Sequence, residues 1–406
     1  METQRIELSD VIENIAAGPF GSKLKVSSFV DYGFPIIDGA NLKGVALTDN
    51  ITKYVTEEKA RSLHRSIAKR GDVVVTISGT LGQIVYIPNN SQFEEYLCSQ
   101  RQFRVTFDKK KVYPPYLVFY FHTREGQHKI LAFANQTGVP ALSQPLRNFR
   151  KIMIDLPSLK LQKKIASYCE ILNEKIEENE RINKNLIQQT QALYIAWFEQ
   201  FLPFDGSMPS DWRIGTIGDI ATIKTNSFSP QKNPGVMLEH YSIPAYDEQH
   251  FPVFEPSDNV KSNKYILTDN SVLASKLNPD TKRIWRPMCL TDHAVCSTEF
   301  IVFEANNSAY KDFLFSIIDS QSFSDWMCAH TTGSTNSRQR TTPSTTLEFK
   351  VPIASDDVID EFCASVTPMY DLVSQNLQEN QRLASLRDSL LPKLMSGETD
   401  VSDVDL

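Results

Sequence analysis

Residues 157–197 read PSLKLQKKIASYCEILNEKIEENERINKNLIQQTQALYIAW, and residues 367–397 read TPMYDLVSQNLQENQRLASLRDSLLPKLMSG. In both stretches apolar residues recur at steps of three and four, with Glu, Lys, Asn and Gln between them, which is the period of an α-helix. The first continues for about 40 residues without Gly or an interior Pro, beyond the roughly 8 to 20 of a typical globular helix. The pattern favours two long helices that pack on each other over two separate surface helices, each covering its own domain.

The two stretches align at an offset of 197 residues, which places Asn179 over Asn376. An Asn at equivalent seam positions is typical of coiled coils, where it fixes register and partner at some cost in stability. Thr367-Pro368 resembles an N-cap followed by Pro at the first helical position, so we expect the second helix to begin or restart there. The predicted packing residues are Ile165, Leu172, Ile176, Asn179, Leu186 and Leu193 in the first helix and Val373, Asn376, Leu383, Leu386 and Leu390 in the second.

The chain has 406 residues and is 41% hydrophobic, which predicts two or three domains with real cores. Its first residues are polar and no apolar run approaches 18 residues, so we expect a cytoplasmic protein with no membrane partner. The six Cys lack C-x-x-C spacing, which is typical of reduced thiols. The formal net charge of −7 argues against nucleic acid when taken alone, but the charge is unevenly distributed.

A long internal repeat divides the chain at the turn-rich segment 202–211. The matched segments are Leu8-Ser-Asp-Val11 with Ile217-Gly-Asp-Ile220, Phe34–Asp38 with Ile243–Asp247, Gly71–Ile77 with Asp269–Ser275, and Cys98-Ser99 with Cys296-Ser297. Ordered matches with small changes of offset predict one duplicated unit with loop insertions. The sequence predicts that each unit contains short strands, one or two helices and a long helix.

The sequence predicts no catalytic residue and no metal site. Tyr113-Pro-Pro-Tyr116 is similar to the motif with which amino-methyltransferases hold a base, but its first residue lacks the required amide or carboxylate, so we expect a helix begun by Pro. Gly18-Pro-Phe-Gly21 and Gly79-Thr-Leu-Gly82 are too short for a phosphate-binding loop and are interpreted as turns. His293 lies near Cys289 and Cys296, but a second pair of ligands is missing.

Polar and basic residues concentrate instead in loops between predicted strands. Such residues bind phosphates and hydrogen-bond to base edges, although any one of them is more often a solvated surface residue than a base contact. The set as a whole favours DNA binding by two modules that share a scaffold and differ at their tips. The candidates are Lys23, Lys25, Ser78, Thr80, Gln83, Arg101, Gln136, Thr137 and Arg147 in the first unit and Lys276, Asn278, Lys282, Arg283, Arg286, Thr335, Asn336, Arg338 and Arg340 in the second.

Several motifs resemble the specificity subunit of type I restriction-modification systems. They are Thr137-Gly-Val139, Leu156-Pro-Ser-Leu159, Gln162-Lys-Lys-Ile165-Ala, Asn179, Leu186 and above all residues 383–398, LASLRDSLLPKLMSGE. Ser355-Asp-Asp-Val358 departs from the Gln-Lys-Lys-Ile pattern of the first unit, which leaves the start of the second helix open.

The resemblance implies an α+β (mixed α/β) fold with an internal pseudo-twofold repeat. Two target-recognition domains are joined by two long antiparallel helices that form a coiled coil. The expected boundaries are 1–156 for the first recognition domain, 157–201 for the central helix, 202–354 for the second recognition domain, 355–397 for the C-terminal helix and 398–406 for an acidic tail.

The resemblance further implies a non-catalytic subunit that reads an asymmetric bipartite sequence in double-stranded DNA. Its expected partners are two modification (methyltransferase) subunits and restriction (translocase and nuclease) subunits, which would carry the S-adenosylmethionine, ATP and Mg; this chain would hold no cofactor. A tandem-domain protein adaptor is the alternative, and a methyltransferase fused to its recognition domains is disfavoured because no cofactor loop is present. Loop tips rich in Lys, Arg, Asn and Thr favour DNA, since protein hot spots are richer in aromatic residues.

Overall fold

The computed structural model describes residues 3–135, 139–332, 339–396 and 398–399. The chain forms two compact units. The first contains residues 1–174 and 383–406, and the second contains residues 175–382. Each long helix therefore contributes residues to both units. None of the helices in the described ranges is long and apolar enough to cross a membrane.

The first unit contains eleven strands among its described residues. They are β1 (Thr3–Glu7), β2 (Ile12–Ala17), β3 (Phe29–Val30), β4 (Phe34–Ile37), β5 (Tyr54–Val55), β6 (Ile67–Lys69), β7 (Val73–Thr76), β8 (Ile84–Tyr86), β9 (Glu95–Cys98), β10 (Gln102–Phe107) and β11 (Met153–Pro157). The helices of this part of the chain are α1 (Glu57–Ser62), α2 (Pro114–His122), α3 (Arg124–Leu131), α4 (Pro145–Arg150) and α5 (Leu159–Tyr194), of which residues 159–174 belong to the first unit.

Two main sheets build the first unit. One has the order β2-β10-β7-β8, the other has the order β3-β5-β4-β9-β6 with β4 and β9 parallel, and β1 pairs with β11. Alternate residues of β10, such as Phe103 and Val105, enter the larger core with α2 and the start of α5, because side chains alternate across a strand. Leu391 and Leu394 belong to the same core, so the C-terminal helix end packs on the first unit.

The second unit repeats this arrangement. Its strands are β12 (Arg213–Thr216), β13 (Ala221–Lys224), β14 (Ser227–Phe228), β15 (Met237–Tyr241), β16 (Val253–Pro256), β17 (Lys264–Ile266), β18 (Ser271–Ser275), β19 (Ile284–Trp285), β20 (Ala294–Ser297), β21 (Phe300–Ala305), β22 (Thr331–Thr332), β23 (Arg340–Thr341) and β24 (Lys350–Ile353). The remaining helices are α6 (Ile217–Ile220), α7 (Ile243–Gln249), α8 (Lys311–Ile318), α9 (Gln321–Ala329), α10 (Pro343–Thr346) and α11 (Asp356–Ser396), of which residues 356–382 belong to the second unit.

The sheets confirm the predicted repeat. The order β13-β21-β18-β19 reproduces β2-β10-β7-β8, and β12 pairs with β24 as β1 pairs with β11. In the five-stranded sheets, β16-β15-β20-β17 reproduces β5-β4-β9-β6 with the same central parallel pair. The edge strand differs, because β3 pairs with β5 whereas β14 pairs with β17. The two units therefore have the same strand order except for the edge strand of the five-stranded sheet.

One predicted match within the repeat is wrong. Phe34–Ile37 is a strand, but the segment aligned with it begins the helix Ile243–Gln249. The true counterpart of β4 is β15, because Ile37 pairs in parallel with Cys98 and Tyr241 pairs in parallel with Cys296. The Pro shared by the two aligned segments misled the comparison, since Pro is found near the start of a strand as well as in the first turn of a helix.

The second long helix begins earlier than Thr367-Pro368 predicted. It runs without interruption from Asp356, and Pro368 lies inside it. Ile359, Phe362 and Val366 are buried in the core of the second unit and hold the first turns in helical conformation. Tertiary packing therefore overrides the local preference of Pro for the first helical position.

The interpretation of Tyr113-Pro-Pro-Tyr116 as a helix start is confirmed. Pro114 and Pro115 begin α2, and Tyr113 is its N-cap. The side chain of Gln162 is fully buried, and its Oε1 accepts a hydrogen bond from the Tyr113 amide at 2.9 Å while its Nε2 donates to the carbonyls of Lys111 and Pro157. Gln162 thereby satisfies an otherwise unpaired amide at the start of α2 and ties α5 to the first unit.

Candidate nucleic-acid interface

The tip between β7 and β8 in the first unit is a tight turn that exposes Thr80. Gly79 and Gly82 have φ values of +97° and +87°, a region that favours Gly. Gln83 is not free at this tip, because its Oε1 accepts from the Thr76 hydroxyl at 2.9 Å and its Nε2 donates to the Gly39 carbonyl at 3.1 Å. Gln83 therefore holds the turn in place, whereas Thr80 and the half-buried Ser78 present hydroxyls.

All four predicted cations of the first unit are exposed. Arg101 lies beside the turn, since a Cβ on Gly79 would be 3.9 Å from its guanidinium, and it lines a groove of about 530 Å³ with Lys53. Lys23 is the last residue of the 3₁₀ turn at residues 21–23, and Lys25 follows two residues later. Arg147 is exposed on α4, where its guanidinium donates to Gln144. Gln136 and Thr137 lie outside the described residues.

In the second unit the structure brings together Lys276, Asn278 and Arg340. The Asn278 amide donates to the Gln339 carbonyl at 2.9 Å, and the Thr341 amide donates to the Lys276 carbonyl at 3.0 Å. Asn278 has φ +49°, and its Oδ1 is buried without a partner among the described residues. The candidates Thr335, Asn336 and Arg338 belong to the same tract but lie outside the described part of the chain.

The other cations of the second tip already have carboxylate partners. Their pairs are Lys282 with Asp319 at 2.7 Å, Arg283 with Asp247 at 2.6 Å, Arg286 with Asp312 at 2.6 Å and with Asp371 at 2.8 Å, and Arg340 with Glu299 at 3.0 Å. The Arg283 guanidinium holds the pKa of Asp247 below its usual value. Among the described cations of this tip, Lys276 has no carboxylate at ion-pair distance, whereas a new ligand of the other four would have to compete with these pairs.

Arg286 and its counterpart attach the sheet of each unit to a long helix. Trp285 pairs with Leu273 as Val85 pairs with Val74, so Arg286 corresponds to Tyr86. Arg286 binds Asp371 of α11, and Tyr86 hydrogen-bonds Glu170 of α5. Burial raises the pKa of Glu170, and the hydroxyls of Tyr113 and Tyr86 oppose that change. One position of the repeat thus links the sheet to the helix by an ion pair in one unit and by a phenol in the other.

The helix seam within the second unit contains two pairs of Asn. Asn179 Nδ2 donates to Asn380 Oδ1 at 2.8 Å, and Asn376 Nδ2 donates to Asn183 Oδ1 at 2.8 Å. The 197-residue offset maps the first pair onto the second (179 + 197 = 376 and 380 − 197 = 183), so the two contacts are related by the repeat. Residue numbers rise in one helix as they fall in the other, which confirms antiparallel pairing within this unit. Sequence reasoning identified Asn179 and Asn376 but missed Asn183 and Asn380.

Most predicted packing residues are buried or half-buried, with one exception. Ile165 is fully buried. Leu386 is wrong as a packing residue, because its side chain is 45% exposed. In the first unit, the face of α11 that is covered contains the half-buried Arg387 and the buried Leu391, and Arg387 donates to Asn173 of α5 at 2.7 Å. Leu386 lies one residue, about 100°, away from that face. The half-buried predicted positions are Leu172, Ile176, Leu186, Leu193, Val373, Leu383 and Leu390.

The chain matches the family model described as the type I restriction modification DNA specificity domain over residues 2–188. Residues 2–188 therefore belong to this domain family. A specificity subunit of the type I restriction enzyme MjaIX from Methanocaldococcus jannaschii is 22% identical over 383 residues, covering 86% of this chain and 82% of the relative. The specificity subunit of the HindI enzyme from Haemophilus influenzae is 21% identical, covering 81% of this chain and 87% of the relative.

A solved structure has a fold similar to that of this chain. The S subunit of the type I restriction-modification system from M. genitalium is 13% identical and has a TM-score of 0.59, with 97% of this chain and 96% of that chain covered. The coverage extends the likeness beyond residues 2–188 to both units. At this level of identity the comparison establishes architecture and not individual contacts.

Proposed function

We propose that this specificity subunit reads an asymmetric bipartite DNA sequence, with one half-site for each unit. The observation that carries the proposal is the duplicated frame with different tips: equivalent sheets end in Ser78-Gly-Thr80 in one unit and in Lys276-Leu-Asn278 in the other. Two copies of one scaffold with unlike tips suit recognition of two unlike surfaces. The predicted recognition domains at 1–156 and 202–354 are the parts to which we assign the half-sites.

The exposed side chains at these tips have the chemistry that DNA requires. Arg101, Lys23 and Lys25 supply positive charge for phosphates, and the Thr80 hydroxyl supplies a donor and an acceptor for base edges. The net charge of −7 is compatible with this role if partner subunits provide part of the phosphate contact. Binding by the chain alone should then be weak and sensitive to salt.

We assign the two long helices the role of setting the distance between half-sites. α5 has 36 residues and α11 has 41, so they measure about 54 and 62 Å at 1.5 Å per residue. One turn of B-DNA covers about 34 Å, so helices of this length match separations of one to two turns. The buried Asn pairs fix the register of the pair and therefore its effective length.

The proposed subunit is non-catalytic and acts in the cytoplasm within a larger complex. Two modification subunits would supply S-adenosylmethionine-dependent adenine methylation, and restriction subunits would supply ATP- and Mg-dependent translocation and cleavage. This chain would contribute sequence recognition and a scaffold for both.

Long-read sequencing of genomic DNA from cells with and without this gene tests the proposal. We expect one bipartite, asymmetric motif to lose adenine methylation on deletion and to regain it on complementation. Unchanged methylation in cells whose modification subunit is expressed and active would reject the DNA role and favour a protein adaptor.

A further inference from the structure

Phe20 in the first unit is 79% exposed, whereas its counterpart in the repeat is packed. Ala16 pairs with Arg104 and Lys224 pairs with Val302, at equivalent positions of the two four-stranded sheets. Phe20 and Phe228 each lie four residues further along the chain. Phe228 belongs to the edge strand β14 and packs against the core cluster of Leu238, Val260 and Val295. The equivalent aromatic residue of the second unit therefore packs against a core, whereas Phe20 is left exposed to solvent.

The chain before Phe20 is held rigidly. The Gly18 amide donates to the Gln102 carbonyl at 2.8 Å, and a Cβ on Gly18 would lie 1.8 Å from the Ser99 carbonyl oxygen, so only Gly allows this approach. The Ser66 hydroxyl donates to the Ala17 carbonyl at 2.9 Å, and Pro19 restricts the backbone further. After it, the Phe20 carbonyl accepts from the Lys23 amide at 2.9 Å. Phe20 is therefore presented to solvent from a fixed base.

Several cations line the grooves at this segment. Phe20 and Lys23 line a groove of about 550 Å³ together with His64 and Arg65, and Arg101 lines a second groove together with Leu24 and Val26 of the same segment. Within the described ranges, Lys23, Arg65 and Arg101 have no carboxylate at ion-pair distance, in contrast to the cations of the second tip. An exposed ring among unpaired cations is complementary to a polyanion with apolar faces, which is the chemistry of stacked bases between phosphates.

We propose that Phe20 is an aromatic wedge that packs against base faces in the half-site of the first unit, while Lys23 contacts a neighbouring phosphate. The inference deepens the proposed function and rests on it. Apolar side chains that enter between base steps unstack them and bend the duplex, and an aromatic ring that stacks on one base strengthens binding by about 5- to 150-fold. The second unit, whose Phe228 is packed, reads its half-site without such a wedge.

The test uses the full chain assembled with its modification subunits and a duplex that carries the methylated motif, with 2-aminopurine in the first half-site. Phe20→Ala should raise the Kd about tenfold, leave the slope of log K against log salt unchanged and abolish the 2-aminopurine response. Lys23→Gln should lower that slope by about 0.9 and keep the fluorescence response. Phe20→Trp should retain binding, and Phe254→Ala, at an exposed aromatic position of the second unit, should change none of these quantities.

An unchanged Kd and fluorescence response for Phe20→Ala would overturn the wedge. So would a variant that assembles poorly with the modification subunits but, once assembled, binds DNA as the parent does, since that result assigns Phe20 to a protein contact. If the parent complex itself shows no sequence preference, the proposed function fails rather than the wedge alone.

Discussion

The buried Asn pairs of the helix seam give a prediction whose size follows from the structure. Asn376 and Asn183 are both buried, and the hydrogen bond from Asn376 Nδ2 is the only partner of Asn183 Oδ1 among the described residues. Asn376→Ala removes that donor and leaves a buried acceptor unsatisfied, which costs about 1–3 kcal/mol of the free energy of unfolding. The matched control is Asn185→Ala, because Asn185 is exposed on α5 and gains the same helix propensity.

Tryptophan fluorescence during urea unfolding measures this effect in the correct unit. All four Trp, at positions 197, 212, 285 and 326, belong to residues 175–382, as do Asn183 and Asn376. We expect the fluorescence midpoint of Asn376→Ala to fall by an amount equivalent to about 1–3 kcal/mol below that of Asn185→Ala. Equal midpoints for the two variants would refute the claim that the buried amides are paired.

The double variant Asn183→Leu, Asn376→Leu separates stability from register. Replacing both partners of a buried hydrogen bond by apolar groups is nearly neutral or stabilising, so the fluorescence midpoint should return to or exceed that of the parent. A helix pair without its polar residues loses register selection. We therefore expect the methylated motif of this variant to show more than one spacer length. A single unchanged spacer would mean that the Asn pairs do not set the register.

Three further changes test the attachment of the helices and their proposed length role. Arg286→Gln leaves the buried Asp312 unpaired and should lower the free energy of unfolding, followed by Trp fluorescence, by about 3–5 kcal/mol. A decrease in the free energy of unfolding below about 1 kcal/mol would show that the ion pair is replaceable. Burial raises the pKa of Glu170, so the contribution of this carboxyl group to stability is largest below pH 4.5 and is lost as pH rises through its folded-state pKa. Glu170→Gln should therefore stabilise the first unit at pH 7 and not at pH 4. Unfolding followed by circular dichroism at several pH values measures this difference. Matched seven-residue insertions after Asn183 and before Asn376 keep both Asn pairs in antiparallel register and lengthen the helix pair by about 10 Å. The methylated motif should then gain about 3 bp of spacer, or methylation should be lost. An unchanged spacer with full methylation would exclude the helices from setting the distance between half-sites.

The sequence predicts the repeated elements better than their ends. Helical period and strand alternation identified α5, β7 and β10 and their partners, because burial of one face leaves a periodic trace in the sequence. The Thr367-Pro368 signal alone misplaces the start of α11, because the first turns are held by Phe362 and Val366 against the second unit, a tertiary contact that has no local signal. The match between β4 and α7 failed because Pro occurs in both kinds of element.

The candidate site was predicted by residue type, and residue type does not reveal partners. Arg283 and Arg286 have the same composition signal as Arg101, but Asp247, Asp312 and Asp371 come from distant parts of the chain and hold the first two. Phe20 was interpreted as part of a turn because exposure cannot be read from a four-residue motif. Asn183 and Asn380 became visible only when the antiparallel register placed them opposite Asn376 and Asn179.

The central claim is that each unit reads its own half-site, and methylation sequencing of two variants tests it most directly. Arg101→Gln changes a tip of the first unit and Lys276→Gln a tip of the second, and both side chains lie in the loop regions rather than in a buried core. We predict that Arg101→Gln relaxes the sequence preference of one half of the methylated motif and that Lys276→Gln relaxes that of the other. Uniform loss of methylation across both halves in either variant, with both proteins folded and assembled, would contradict the account.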